Sequence, residues 1–183
     1  MVNVLEEIKK LSVINDIVLK GEIVLFGSDQ LADLPLYELI NKANLPDAVY
    51  NRALKGMTLD DANALLQASV LDIKPSKVFL DFGECDEKNN DSLKKYLSII
   101  KRIRAALPKA EIYFIGIPET DENCRKFNAQ VKAFVSDKRM RYISLTDTAA
   151  TKSEKYKREF KELACFFAQR PITFNEAYAL SEL

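Results

Sequence analysis

An apolar run, Ile23 to Phe26, ends at Gly27 and delivers Ser28 and Asp29, a hydroxyl beside a carboxylate, just before a leucine-rich helical pattern. A short β-branched and aromatic run bounded by glycines is the pattern of a buried parallel strand. The carboxyl ends of such strands are where an open α/β sheet gathers its working residues. Lys55 follows a second short strand pattern, and Gly83-Glu84-Cys85-Asp86 leaves a third. Three chemistries follow from these residue types. Ser28 with a desolvated Lys55 would pair a nucleophile with its base. Cys85 would be a nucleophile if a neighbouring cation, Lys55 or Arg170, lowered its pKa. Asp29, Glu84 and Asp86 would together offer oxygens to a hard cation. Each has a plainer counterpart, and these are preferred: Ser28 satisfies turn amides, Cys85 is an inert buried thiol, and the carboxylates are solvated or paired. No metal and no cofactor is expected.

Histidine is absent from all 183 residues. A Ser-His-Asp or Cys-His arrangement needs an imidazole that takes and returns a proton near neutrality, and histidine-based zinc sites fall with it. Lys+Arg and Asp+Glu are equal at 27 each, so no net field attracts nucleic acid or an anionic membrane. No apolar run approaches the roughly eighteen residues that span a bilayer. The N-terminal residues lack a basic-then-apolar signal pattern, and three cysteines without framework spacing suit a reducing compartment. A cytoplasmic protein is expected.

The elements that must position these groups alternate. A helical stripe (Val4, Leu5, Ile8, Leu11, Val18) precedes the first strand and stops at Gly21; a short helix with Pro35 in its first turn follows it. Ala48 to Asn51 forms the second strand. Thr58-Leu59-Asp60-Asp61 opens a helix as a capping box and runs through Val70. Lys77 to Gly83 is the third strand. Asn90 or Asp91 caps a long helix with Leu93, Leu97, Ile100, Ile103 and Leu107 on one face, stopped by Pro108. Its Lys94, Lys95, Lys101, Arg102 and Arg104 read as a solvated face. Glu111 to Gly116 and Arg141 to Leu145 are strands four and five. A helix through Cys124, Phe127, Val131 and Phe134 lies between them. Ser153 caps a last long helix with the stripe Tyr156, Phe160, Leu163 and Phe167, and a short segment from Phe174 closes the chain. Alternation of this kind, with right-handed crossovers, predicts an α/β fold: a three-layer α/β/α sandwich on a five-stranded parallel sheet, flavodoxin-like, in one domain over 1–183.

Phe26-Gly27-Ser28-Asp29 resembles the opening block of the SGNH, or GDSL, ester hydrolases, where strand one ends in Phe-Gly-Asp-Ser and the serine is the nucleophile. Asn51-Arg52-Ala53-Leu54-Lys55-Gly56 is similar to their Asn-Arg-Gly-x-x-Gly block, and the Thr58 to Asp61 segment also looks like the family. Ile73 to Leu80 resembles the lead-in to the third block, which ends in Gly-x-Asn-Asp against Gly83-Glu84-Cys85-Asp86 here. Near the C-terminus Arg170-Pro171-Ile172-Thr173-Phe174-Asn175 stands against Asp-Gly-x-His-Leu-Asn, with Tyr178 beyond. The resemblance covers roughly residues 20 to 180 as several ordered blocks.

It implies an SGNH fold whose chemistry is gone. Asp29 stands for the nucleophile, Thr173 for the general base and Arg170 for the acid that orients it. Ala53 and Cys85 stand for the glycine and asparagine that serve the oxyanion hole, and Cys85 offers only a weak S–H donor. A degenerate, non-catalytic site is therefore expected, with Ser28, Asp29, Lys55, Cys85, Asp86 and Arg170 lining any ligand pocket and an Arg170–Asp29 ion pair filling the old centre. The expected partner is a small acyl or sugar ligand or another protein, with the chain a monomer or homo-oligomer. The competing expectation is an acyl-ester hydrolase using Ser28 with Lys55.

Overall fold

The computed structural model describes residues 2–43, 48–135, 138–145, 151–167 and 174–181. Five strands, β1 (Ile23–Gly27), β2 (Val49–Asn51), β3 (Lys77–Asp81), β4 (Glu111–Ile115) and β5 (Met140–Ile143), form one parallel sheet in the order β2-β1-β3-β4-β5. Every pairing is parallel, and Gly27 lies opposite Asp81 in the β1–β3 register. The order reverses between β1 and β3, so their carboxyl ends open a crevice between diverging crossovers.

Helices cover both faces because successive strand side chains point to opposite sides of the sheet. Val24, Phe26, Val78, Leu80, Ile112 and Phe114 pack with α4 (Leu59–Leu66), α5 (Asn90–Ala106) and α6 (Glu122–Lys132). Ile23, Leu25, Phe79, Tyr113 and Ile115 pack with α3 (Leu36–Ala43), α7 (Lys152–Ala164) and α8 (Phe174–Ser181). On that second face Phe79 stacks on Tyr113 at 4.4 Å and meets Phe167 edge-on at 5.3 Å. α1 (Val4–Ile14) lies against α4 and its extension, and the short α2 (Asp29–Ala32) leaves β1 directly. The three-layer α/β/α sandwich is as the alternating pattern predicts.

Details differ where tertiary packing overrides local pattern. α4 ends in a π-helical turn over Gln67–Leu71. Asn89, not Asn90 or Asp91, caps α5, its side chain accepting from Asp91 and Ser92 amides. The buried face of α5 is Ser92, Tyr96, Ile99, Ile100 and Ile103, leaving Leu93 and Leu97 only half-buried. Tyr96 wins that place because its ring fills the core while its hydroxyl donates to the Leu80 carbonyl. Thr151, not Ser153, caps α7 and completes a box with Glu154. Among the described residues no helix is long and apolar enough to cross a membrane.

Candidate functional site

Ser28 and Asp29 stand at the exit of β1, and Gly83 to Asp86 at the exit of β3. The two segments meet because Gly27 allows it: a Cβ on Gly27 would sit 2.6 Å from Asp81 Cβ. Gly83, at φ +111°, turns the chain where a Cβ would strike the Phe127 ring at 2.3 Å. Two glycines thus bring the β1 and β3 exits to within side-chain reach.

Three of the expected residues join in one chain of hydrogen bonds. Cys85 Sγ lies 3.2 Å from Asp29 Oδ2 and 3.0 Å from Ser28 Oγ. A carboxylate only accepts, so the single thiol proton goes to Asp29 and the Ser28 hydroxyl must donate to the sulfur. Ser28 is fully buried and makes no bond to the α2 amides, which corrects the expectation that it satisfies the turn. The Gly56 N–H donates to the other Asp29 oxygen at 2.8 Å. Burial pushes the Cys85 thiol above its ordinary value, and the Asp29 and Glu84 charges add to this while the Ser28 bond opposes it. The sulfur stays protonated at neutral pH, and so is a poor nucleophile.

The other expected residues do different work. The Ala53 N–H donates to Asn51 Oδ1 at 3.0 Å. Asp86 accepts from the Leu59 N–H through both oxygens, at 3.1 and 3.2 Å, and so caps α4. Lys55 Nζ pairs with Asp33 at 3.1 Å on the exposed rim, with no bond to Ser28, so the Ser-Lys dyad is not assembled. Arg170 and Thr173 lie outside the described residues, as does the Arg170 side of the expected ion pair. Among the described residues no group of side chains is arranged to hold a metal ion.

The crevice above this network has a volume of ≈ 110 Å³ and is lined by Asp29, Gln30, Asp33, Glu84, Pro118 and four residues of α7 (Lys152, Lys155, Tyr156, Glu159). Glu159 is buried, accepting from Gln30 Nε2 at 3.3 Å and facing Lys155 at 3.8 Å. Beneath lies Asp81, fully buried, which accepts from the Leu31 N–H at 3.2 Å. Burial, opposed by that hydrogen bond and reinforced by the charges of Glu84, Glu159 and Asp29, raises its pKa to about 7. Sequence reasoning passed over α7 and Asp81. The signals were present: a carboxylate closing a buried apolar strand, and one (Glu159) adjoining the apolar stripe of a helix.

This architecture, with its candidate residues at the switch between β1 and β3, is the fold of the SGNH, or GDSL, hydrolases. It overlays on a protein from Streptococcus pneumonia described as a platelet activating factor, with 20% identity, 89% of this chain and 92% of that one covered, and a TM-score of 0.75. A GDSL-like lipase from Bacteroides thetaiotaomicron aligns over 96% of this chain and 94% of its own at 12% identity and a TM-score of 0.60. A Clostridium thermocellum family 3 carbohydrate esterase aligns over 81% and 98% at 13% identity and a TM-score of 0.59. No protein-family model and no curated protein matches the sequence. At these identities the likeness is one of fold.

Proposed function

We propose that this chain is an SGNH-fold protein that does not hydrolyse esters and uses the crevice at its strand ends to bind a small hydroxyl-rich ligand such as a sugar, in a cytoplasmic setting. The observation that carries the reading is the Asp29 carboxylate. It receives the Gly56 N–H and the Cys85 S–H, so a resident negative charge occupies donors that would otherwise serve a developing oxyanion. The same charge repels a second anion. The Ser28 proton points at sulfur rather than at a base, and the chain contains no histidine to supply one.

The crevice lining supports the ligand class. Carboxylates, an amide and ammonium groups offer acceptors and donors to hydroxyls. Three free cysteines are in keeping with a reducing compartment.

Highly purified protein incubated with short-chain nitrophenyl esters is expected to release nitrophenol no faster than buffer. Asp29→Ser is expected to stay inactive as well, because it restores a hydroxyl without a base. Release that survives purification and disappears in Ser28→Ala or Cys85→Ala would overturn the reading and name the nucleophile.

A further inference from the structure

A second cleft lies elsewhere. Between α1 and the edge strand β2, a cavity of ≈ 350 Å³ shares no lining residue with the strand-end crevice. That volume falls within the roughly 300–1,000 Å³ of small-molecule sites. Leu11, Ile14, Val18 and Leu54 give it apolar walls. Its polar lining includes Arg52, which leaves β2 and is 8% exposed. Arg52 Nη2 donates to Asn15 Oδ1 at 3.2 Å, and Nε is enclosed without a partner. The guanidinium sits 5.9 Å from the Tyr50 ring centroid, and the Tyr50 hydroxyl in turn accepts from the Leu19 N–H at 3.0 Å, fixing the platform beneath it. Among the described residues no carboxylate pairs with Arg52. Glu7, the acidic group in the lining, is taken by Lys10 at 3.3 Å, so those two charges cancel at the rim.

A buried guanidinium without a counter-charge is costly unless something supplies the anion. Burial accordingly pushes the Arg52 guanidinium below its ordinary value, opposed in part by the phenol groups of Tyr37 and Tyr50. The planar fork of arginine matches a carboxylate, as it does a phosphate. The apolar walls then select what is attached to that carboxylate.

We propose that the cleft between α1 and β2 is a binding site for a medium-chain carboxylate, its head group on Arg52 and its hydrocarbon tail along Leu11, Ile14, Val18 and Leu54. The site is independent of the strand-end crevice and of whether that crevice binds a sugar. It also accounts for α1 as a wall: the helix buries only Leu11 fully, and turns Ile14 toward the cleft.

Calorimetric titration of the full chain with sodium octanoate tests this. One equivalent is expected to bind, with Arg52→Gln weakening it about tenfold or more, the loss of a charged hydrogen-bonded contact. Val18→Trp, which keeps the guanidinium and fills the tail space, is expected to weaken it likewise. Arg52→Lys, with matching circular dichroism, separates loss of the fork from loss of the fold and is expected to bind more weakly than the parent. Octanol, which lacks the charge, and inorganic phosphate, which lacks the tail, are expected not to compete. Failure of the parent to bind octanoate would overturn the proposal. So would binding as tight as the parent's by the Arg52→Gln and Val18→Trp proteins, or competition by phosphate at the same concentration as octanoate.

Discussion

At the scale of single residues, the site turns on one proton and one charge. The thiol proton of Cys85 is held by Asp29 at 3.2 Å, and the Asp29 and Glu84 charges together with burial keep the sulfur protonated. Asp29→Asn removes the acceptor charge, so the Cys85 pKa should fall toward its ordinary value. At fixed pH near neutrality, alkylation of Cys85 by iodoacetamide, followed by mass spectrometry of its peptide, is expected to be slow in the parent and several-fold faster in Asp29→Asn. Equal rates would show that Asp29 does not govern the thiol. Asp29 itself was legible in the sequence as a carboxylate at a strand end. That its oxygens take amide and thiol donors from Gly56 and Cys85 was not, because neither partner is near it in the chain.

At the scale of elements, the turns that assemble the site differ in what they tolerate. Gly56 and Gly83 both have positive φ, at +72° and +111°. A Cβ on Gly56 would meet open space, whereas one on Gly83 would lie 2.3 Å from the ring of the buried Phe127. Gly56→Ala is expected to cost about 1 kcal/mol from backbone strain alone. Gly83→Ala is expected to cost about 3 kcal/mol or more, because strain and overpacking of α6 against β3 combine. Urea unfolding midpoints of the two variants check this, and equal losses would contradict it. Helix ends were less legible than helix existence. The Thr58–Asp61 box is as read, but α5 and α7 begin at Asn89 and Thr151, where the side chain that best reaches the free amides also fits the packing.

At the scale of the whole molecule, buried carboxyls make stability depend on pH in an unusual direction. Asp81 is raised from 3.8 to about 7, so the folded protein keeps its proton where the unfolded chain has released it. The folded state then binds more protons across that window, and the free energy of unfolding falls as pH rises through it. Asp86 is shifted in the same direction, chiefly by burial. The parent is expected to be less stable to urea at pH 8 than at pH 5. Asp81→Asn is expected to remove most of that difference, on the order of a few kcal/mol, and to be the more stable protein at pH 8. Parallel pH profiles for the two proteins would show that Asp81 does not carry it.

The sequence by itself determined the five strands, the helices between them and their parallel layering. Those follow from apolar runs, helical stripes and glycine or proline stops, which act over a few neighbouring residues and leave a readable pattern. It also determined, through the absence of histidine, that no imidazole relay exists. The tertiary structure alone decided which polar groups meet. Asp29 with Cys85, Asn15 with Arg52 and Gln30 with Glu159 are separated by 56, 37 and 129 residues. Their encounters depend on strand order, on the close approach that Gly27 and Gly83 allow and on which face each helix turns inward. No local pattern encodes those three things, because each is set by packing summed over the whole sheet.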